Sequence, residues 1–200
     1  MKATEVSQAI SLEEVLDVFL AEGLSSGGSF ALWRKPNSSQ LAYIQDFSQS
    51  SRRVSFQLEE LPAGFVVHPF ADQEDRKAFF IHADRYEKFS LENPLNQEDF
   101  PSWMQASRDS VPAPALKKRI AAHLETLSVL SNQGEGQNKA NFLEVVAKGT
   151  QAIEAGTLEK IVAARTKMIP LSTEFDLSKT LAKLLSNYPH SFVNFFHLPG

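Results

Sequence analysis

The hydrophobic pattern of this chain changes its period along the sequence, and each change limits the folds that the chain can adopt. Ser11 and Glu14 form an S-x-x-E capping box before apolar residues at helical spacing, which predicts a helix over residues 12–22 that ends near Gly23. Short runs of β type follow, at 29–35, 40–46, 52–58, 64–70 and 78–84. Such closely spaced runs predict antiparallel strands over residues 29–90.

Helical spacing returns in the second half of the chain. One helix is predicted after Pro112 and Pro114, and a second amphipathic helix, with Phe142 and Ile153 among its apolar positions, is predicted to end at Gly156. The rest of the chain predicts strand, helix and strand in turn: a strand over 158–169, a helix over 177–187 capped by Asp176, and a strand over 191–198.

Two polar segments, residues 91–114 and 131–140, separate these elements and are predicted to be loops, because they combine polar residues with proline or glycine. The order of elements predicts an α+β fold, with antiparallel β-sheets and helices packed outside.

Charge and composition exclude several classes of function. The net charge of −4 argues against a nucleic-acid or membrane-surface binder, which usually presents a basic face. The absence of cysteine excludes disulfides, thiolate zinc sites and a cysteine nucleophile. The N-terminus lacks the apolar segment of a secretory signal, and no apolar run reaches the roughly 20 residues of a membrane helix. These features predict a cytoplasmic protein, and a monomer is expected by default.

Common catalytic and metal-binding motifs are absent from the sequence. No P-loop, G-x-G-x-x-G or G-x-S-x-G segment occurs, and the five histidines do not show the spacing of a metal-binding helix. Acidic pairs such as Glu13–Glu14 and Glu59–Glu60 stand beside predicted helix starts and turns, where a solvated surface is expected. The sequence therefore assigns no set of metal ligands.

One lysine is unusual because its neighbours are apolar. Within the predicted strand 158–169, alternate residues face opposite sides, so Lys160 shares a face with Val162 and Ala164, while Arg165 lies on the other face. Burying a lysine charge is costly, and a lysine in such a place can act as a base at neutral pH. The alternative, which the pattern alone favours, is that Lys160 lies at the strand edge and reaches water.

The residues around this lysine read I-E-A-G-T-L-E-K-I-V-A-A-R from Ile153 to Arg165. This segment resembles the chorismate-binding enzyme family, whose members typically carry an apolar helix followed by I-x-x-G-x-[apolar]-x-K-V-V-L-S-R. Three positions after the lysine depart from that pattern, but the lysine stays in register. The resemblance covers residues 140–200 well, and residues 61–70 resemble the family's strand that ends in G-F-x-x-x-P-F less closely.

The resemblance implies a reaction and a role for Lys160. Branches of the family that add ammonia to chorismate, the anthranilate synthases, usually carry glutamine at this position, whereas isochorismate and salicylate synthases carry lysine as the general base. The implied activity is that of an isochorismate synthase, in which water attacks C2 of chorismate and the C4 hydroxyl is displaced. The resemblance also implies Mg²⁺, held by ligands expected C-terminal to this chain, as is the general acid.

The resemblance further implies that residues 1–200 form the N-terminal portion of a single chorismate-binding domain, truncated after Gly200 and inactive by itself. Chorismate is then the implied partner, with no nucleic acid and no membrane. Two alternatives stay open: a salicylate synthase of the same family, and a non-catalytic α+β module that binds a partner or a small anion. The sequence does not distinguish menaquinone from siderophore biosynthesis, or a natural from an artificial truncation.

Overall fold

The computed structural model describes residues 10–55, 57–68, 77–92, 100–110, 113–128, 135–164, 172 and 174–199. The helices in these ranges are α1 (Leu12–Ser25), α2 (Ser102–Ser110), α3 (Ala113–Ser128), α4 (Glu135–Glu154) and α5 (Leu177–Asn187). The strands are β1 (Ser29–Arg34), β2 (Gln40–Asp46), β3 (Arg52–Ser55), β4 (Gly64–Val67), β5 (Lys77–His82), β6 (Arg85–Ser90) and β7 (Val193–His197), and Leu58–Glu60 form a 3₁₀ turn.

The chain divides into two compact units. We call them the sheet unit, which comprises Met1–Ala122 with Asp176–Gly200, and the α4 unit, which comprises His123–Phe175. The sheet unit contains a four-stranded sheet in the order β6-β2-β1-β7 and a three-stranded sheet in the order β3-β5-β4. Every strand pair among the described residues is antiparallel, which confirms the predicted α+β class.

The two central strands of the four-stranded sheet, β1 and β2, are buried on both faces. On one face α1 packs through Phe19, whose ring centroid lies 4.6 Å from that of Tyr43 and 4.7 Å from that of Phe89. On the other face Ala31 and Ile44 form a buried cluster with Ile81 of the second sheet. Helix α1 therefore packs on the outside of the sheet, as the sequence predicts.

Asp46 is a buried acid at the end of β2 that stabilises the neighbouring turns and strands. Its carboxylate accepts hydrogen bonds from the Ser48 amide at 2.8 Å and the His82 amide at 3.1 Å, and pairs with Arg52 Nε at 2.8 Å. Burial acts to raise the pKa of Asp46, but the bonds from Ser48, Arg52 and His82 together hold that pKa below its usual value. The acid thus ties β2 to β3 and β5.

The structure corrects the predicted end of α1. Gly23 lies inside the helix, which continues to Ser25, and Gly27 follows with a φ of +72°. A Cβ atom at Gly23 would lie 2.5 Å from Cδ1 of Phe30. Gly23 is therefore required for the close approach of Phe30, and not for a helix stop.

The two predicted loops are wrong in part, because helices occupy much of them. Helix α2 lies within 91–114, and α4 begins inside 131–140. The prolines mark helix starts here: the carbonyl of Pro101 accepts a bond from the Met104 amide at 2.9 Å, and Pro114 lies in the first turn of α3. Gly136 lies within α4, because a helix tolerates a single glycine. The extent of the domain is not tested and stays a prediction.

Both predicted N-terminal caps are confirmed. The Ser11 hydroxyl accepts a bond from the Glu14 amide at 3.2 Å, and the Ser11 amide donates to the Glu14 carboxylate at 2.8 Å. Asp176 accepts a bond from the Lys179 amide at 2.9 Å, and α5 begins directly after it. Within the ranges that the structure describes, no helix has both the length and the apolar character needed to cross a membrane.

Candidate active site around Lys160

Helix α4 ends in a Schellman motif shortly before Lys160. Gly156 adopts a φ of +71°, which glycine allows without steric cost. The Thr157 amide donates to the Ala152 carbonyl at 2.9 Å, and the Gly156 amide donates to the Ile153 carbonyl at 3.0 Å. The prediction that Gly156 ends this helix is therefore confirmed.

The segment that carries Lys160 is not a strand over its described part. Residues 158–164 form neither helix nor strand, so the strand predicted over 158–169 is wrong there, and residues 165–169, including Arg165, lie outside the described residues. A strand persists only where a neighbour completes its backbone hydrogen bonds. Neither described sheet includes this segment, and Val162 is 80% exposed.

Lys160 itself lies on the surface of the α4 unit, with its side chain exposed. This placement agrees with the interpretation in which the long side chain reaches water, and not with burial on an apolar strand. It leaves the amine accessible to solvent and to a small substrate. The assignment of Lys160 as a general base stays a prediction.

Ile161, the residue after Lys160, packs back onto α4. Gly149 is buried in the helix, and a Cβ atom built on it would lie 3.0 Å from both Cδ1 and Cγ2 of Ile161. The Leu158 amide makes a further bond to the helix, at 3.3 Å from the Ala152 carbonyl. Lys160 therefore lies between two points at which its segment is attached to α4.

The sheet unit contains a charged cluster that the sequence did not predict. Lys117 of α3 donates to Glu13 of α1 at 2.6 Å and to Asp176, the cap of α5, at 2.9 Å. Asp17 lies further away, with 3.9 Å between Oδ2 and the Lys117 ammonium. One cation thus joins three helices. The sequence signal that could have indicated this cluster is Asp17, an acid on an apolar helix face that also carries Val15, Leu16, Val18 and Phe19.

The pKa values of the residues in this cluster are shifted in different directions. Burial raises the pKa of Asp17, because its side chain is only 2% exposed and the opposing interactions with Ser178 and Lys117 compensate incompletely. Hydrogen bonds to Glu13 and Asp176 raise the pKa of Lys117. Burial acts to raise the pKa of Asp176, but the Lys179 amide and the Lys117 ammonium hold it below its usual value. The Ser178 hydroxyl is buried beside Asp17, and its interaction with the carboxylate acts to lower that pKa. We interpret the cluster as a structural joint between helices.

The described residues contain no group of three or more histidine, aspartate or glutamate side chains placed to hold a metal ion. The Mg²⁺ that the sequence resemblance implies therefore has no ligand set among the described residues. Two of the histidines are bound locally: Nδ1 of His82 lies 2.8 Å from Asp84, and His190 contacts Asn37.

Comparison with known proteins bears on the Lys160 segment directly. Residues 90–199 match the family model described as chorismate binding enzyme. The matched span exceeds half of the chain and includes the Lys160 motif, α5 and β7, although it excludes residues 61–70. Comparisons with curated proteins and with solved structures give no significant match. On the strength of the family match, this chain belongs to the chorismate-binding enzyme family.

Proposed function

We propose that this chain is part of an isochorismate synthase, and that Lys160 is its general base. The family match supports a chorismate-using enzyme. The observation that carries the finer assignment is the lysine in I-E-A-G-T-L-E-K, because the ammonia-adding branch usually carries glutamine at that position. This assignment depends on the motif and not on burial of the amine, because the side chain of Lys160 is exposed.

In the proposed reaction the unprotonated amine of Lys160 takes a proton from water as the water oxygen bonds to C2 of chorismate. The ring double bond shifts, and the C4 hydroxyl leaves as water after it gains a proton from a general acid. One water enters and one leaves, so substrate and product are isomers. The described residues supply the base, and we assign no general acid among them.

Magnesium is part of the proposal as a cofactor, although the described residues do not supply a site for it. When bound, the ion would neutralise substrate carboxylate charge. The ligands of the ion would lie outside the described residues. Removal of magnesium therefore tests the activity of the full-length protein and not the role of Lys160.

A salicylate synthase is the second candidate, because the same lysine would start that reaction with the same attack of water. The two activities differ in the fate of the enolpyruvyl group, which an isochorismate synthase retains and a salicylate synthase releases as pyruvate. A non-catalytic α+β module is the third candidate, favoured by the exposed, irregular segment around Lys160.

The product formed by the full-length protein distinguishes these candidates. Chorismate is incubated with the protein and Mg²⁺ in oxygen-18-labelled water, with ammonium present in a parallel reaction, and the products are identified by mass spectrometry. We expect isochorismate that carries one labelled oxygen at C2, with no pyruvate. Pyruvate with salicylate would favour the second candidate, anthranilate would place the chain in the ammonia-adding branch, and unchanged chorismate would support the module.

A further inference from the structure

The contact between Gly149 and Ile161 lies next to the proposed base and fixes the distance between two backbones. Gly149 is a buried residue within the C-terminal half of α4, where glycine is less favourable than alanine for the helix itself. Its absent side chain is what gives Ile161 room, because a Cβ atom there would lie only 3.0 Å from two carbon atoms of Ile161. Gly149 therefore costs the helix some stability but allows Ile161 to approach it closely.

A side chain at Gly149 would move the segment and not the helix. The α4 backbone is held by its own hydrogen bonds over twenty residues. Residues 158–164 belong to neither described sheet, and Ile161 is 41% exposed, so this segment has the freedom to yield. Because Lys160 is bonded to Ile161, a shift of Ile161 away from the helix carries Lys160 with it.

We infer that Gly149 is a positioning residue for Lys160. It acts through Ile161. The packing of Ile161 and the hydrogen bond from the Leu158 amide to the Ala152 carbonyl together hold the backbone of Lys160 at a fixed position along α4. This inference depends on the proposed function, since it assigns a catalytic consequence to a packing contact. It predicts that an added methyl group at position 149 lowers turnover without harming the helix.

The test compares four variants of the full-length protein with chorismate as substrate. Gly149→Ala adds the methyl group, Ile161→Val removes Cδ1 from the contact, and the double variant combines both changes. Thr150→Ala is the matched control, because this exposed residue on the same helix also gains helix propensity. Lys160→Ala is measured in parallel.

For Gly149→Ala we expect kcat to fall roughly fivefold, since a displacement of a few tenths of an ångström is about a third of one that costs on the order of a hundredfold. The KM for chorismate should stay within about a factor of two, and the melting temperature should not fall, because alanine favours the helix. The double variant should recover part of kcat, because Ile161→Val removes the close contact with Cδ1 and keeps the one with Cγ2, and Thr150→Ala should match the wild type. A purely structural role of Gly149 predicts a changed melting temperature with unchanged kcat and no rescue.

The outcomes separate the inference from the function on which it rests. If Lys160→Ala abolishes turnover while Gly149→Ala keeps wild-type kcat, the positioning role is wrong and the base assignment stands. If Lys160→Ala is fully active, the proposed function itself fails. Should Gly149→Ala not fold, Ile161→Ala decides instead: a lower kcat with native circular dichroism supports positioning, and an unchanged kcat overturns it.

Discussion

Replacing Gly23 by alanine sets two effects of opposite sign against each other. Alanine inside α1 stabilises the helix by roughly 0.5–1 kcal/mol relative to glycine. The new Cβ atom, however, would lie 2.5, 2.6 and 2.7 Å from Cδ1, Cγ and Cε1 of Phe30. These are ring atoms of a side chain that is 0% exposed and is packed against Tyr43 and Phe195. The ring has no solvent-facing route of escape, so the overpacking cost should reach the upper part of the usual range of about 1–3 kcal/mol.

The net expectation for Gly23→Ala is a loss of about 1–2 kcal/mol in the free energy of unfolding, which urea denaturation monitored by circular dichroism measures as a lower midpoint. Phe30→Ala supplies the control, because it removes all three of the ring atoms involved. In that background Gly23→Ala should become stabilising, by roughly 0.5–1 kcal/mol. A Gly23→Ala protein as stable as the wild type, or the same loss in both backgrounds, would refute the packing argument.

Two further predictions concern the charged cluster of the sheet unit. Asp176→Ala removes the cap of α5 and a partner of Lys117, and should lower the free energy of unfolding by about 1–2 kcal/mol. Asp176→Asn keeps a capping oxygen and should lower it by less than about 1 kcal/mol. Equal urea midpoints for the two variants would show that the cap contributes nothing. Asp17 has a folded-state pKa above its unfolded value of 3.8, so the wild type should gain stability as pH falls through that folded pKa. Compared with Asp17→Asn, which cannot titrate, the wild type should therefore improve between about pH 7 and about pH 4, and a constant difference across this range would contradict the raised pKa of Asp17.

Local signals in the sequence predict the helix ends well, because the interacting groups lie within a few residues of each other. The capping box of Ser11 and Glu14, the cap at Asp176 and the stop at Gly156 are all confirmed. Each depends on hydrogen bonds that the chain makes with itself over three to five residues. No knowledge of the remaining fold is needed for them.

Features that depend on distant partners were predicted less well. The sequence around Gly23 predicts a helix stop there, because nothing in that neighbourhood reveals the ring of Phe30. The strand over 158–169 was predicted from apolar residues that alternate, but a strand also needs a paired neighbour, and the described segment has none in either sheet. The Lys117 cluster was missed because its members come from three separate helices.

The candidate site shows the same division. The sequence singled out Lys160 and, through resemblance, the family that the match over residues 90–199 confirms. The exposure of Lys160 and the contact of Ile161 with Gly149 depend on how the chain folds back on α4, and the periodicity of the sequence does not contain that information.

The most direct test of the central claim is the steady-state kinetics of Lys160→Ala in the full-length protein, with chorismate and Mg²⁺. If Lys160 is the general base, kcat should fall by roughly 10²–10⁴-fold, while chorismate binding, measured by calorimetry, and the melting temperature stay near wild type. Lys148→Ala is the matched control, because that lysine is also exposed and its pair with Glu144 lies on the surface of the same unit. Wild-type turnover in Lys160→Ala, or an equal loss in Lys148→Ala, would contradict the assignment of Lys160 as the base.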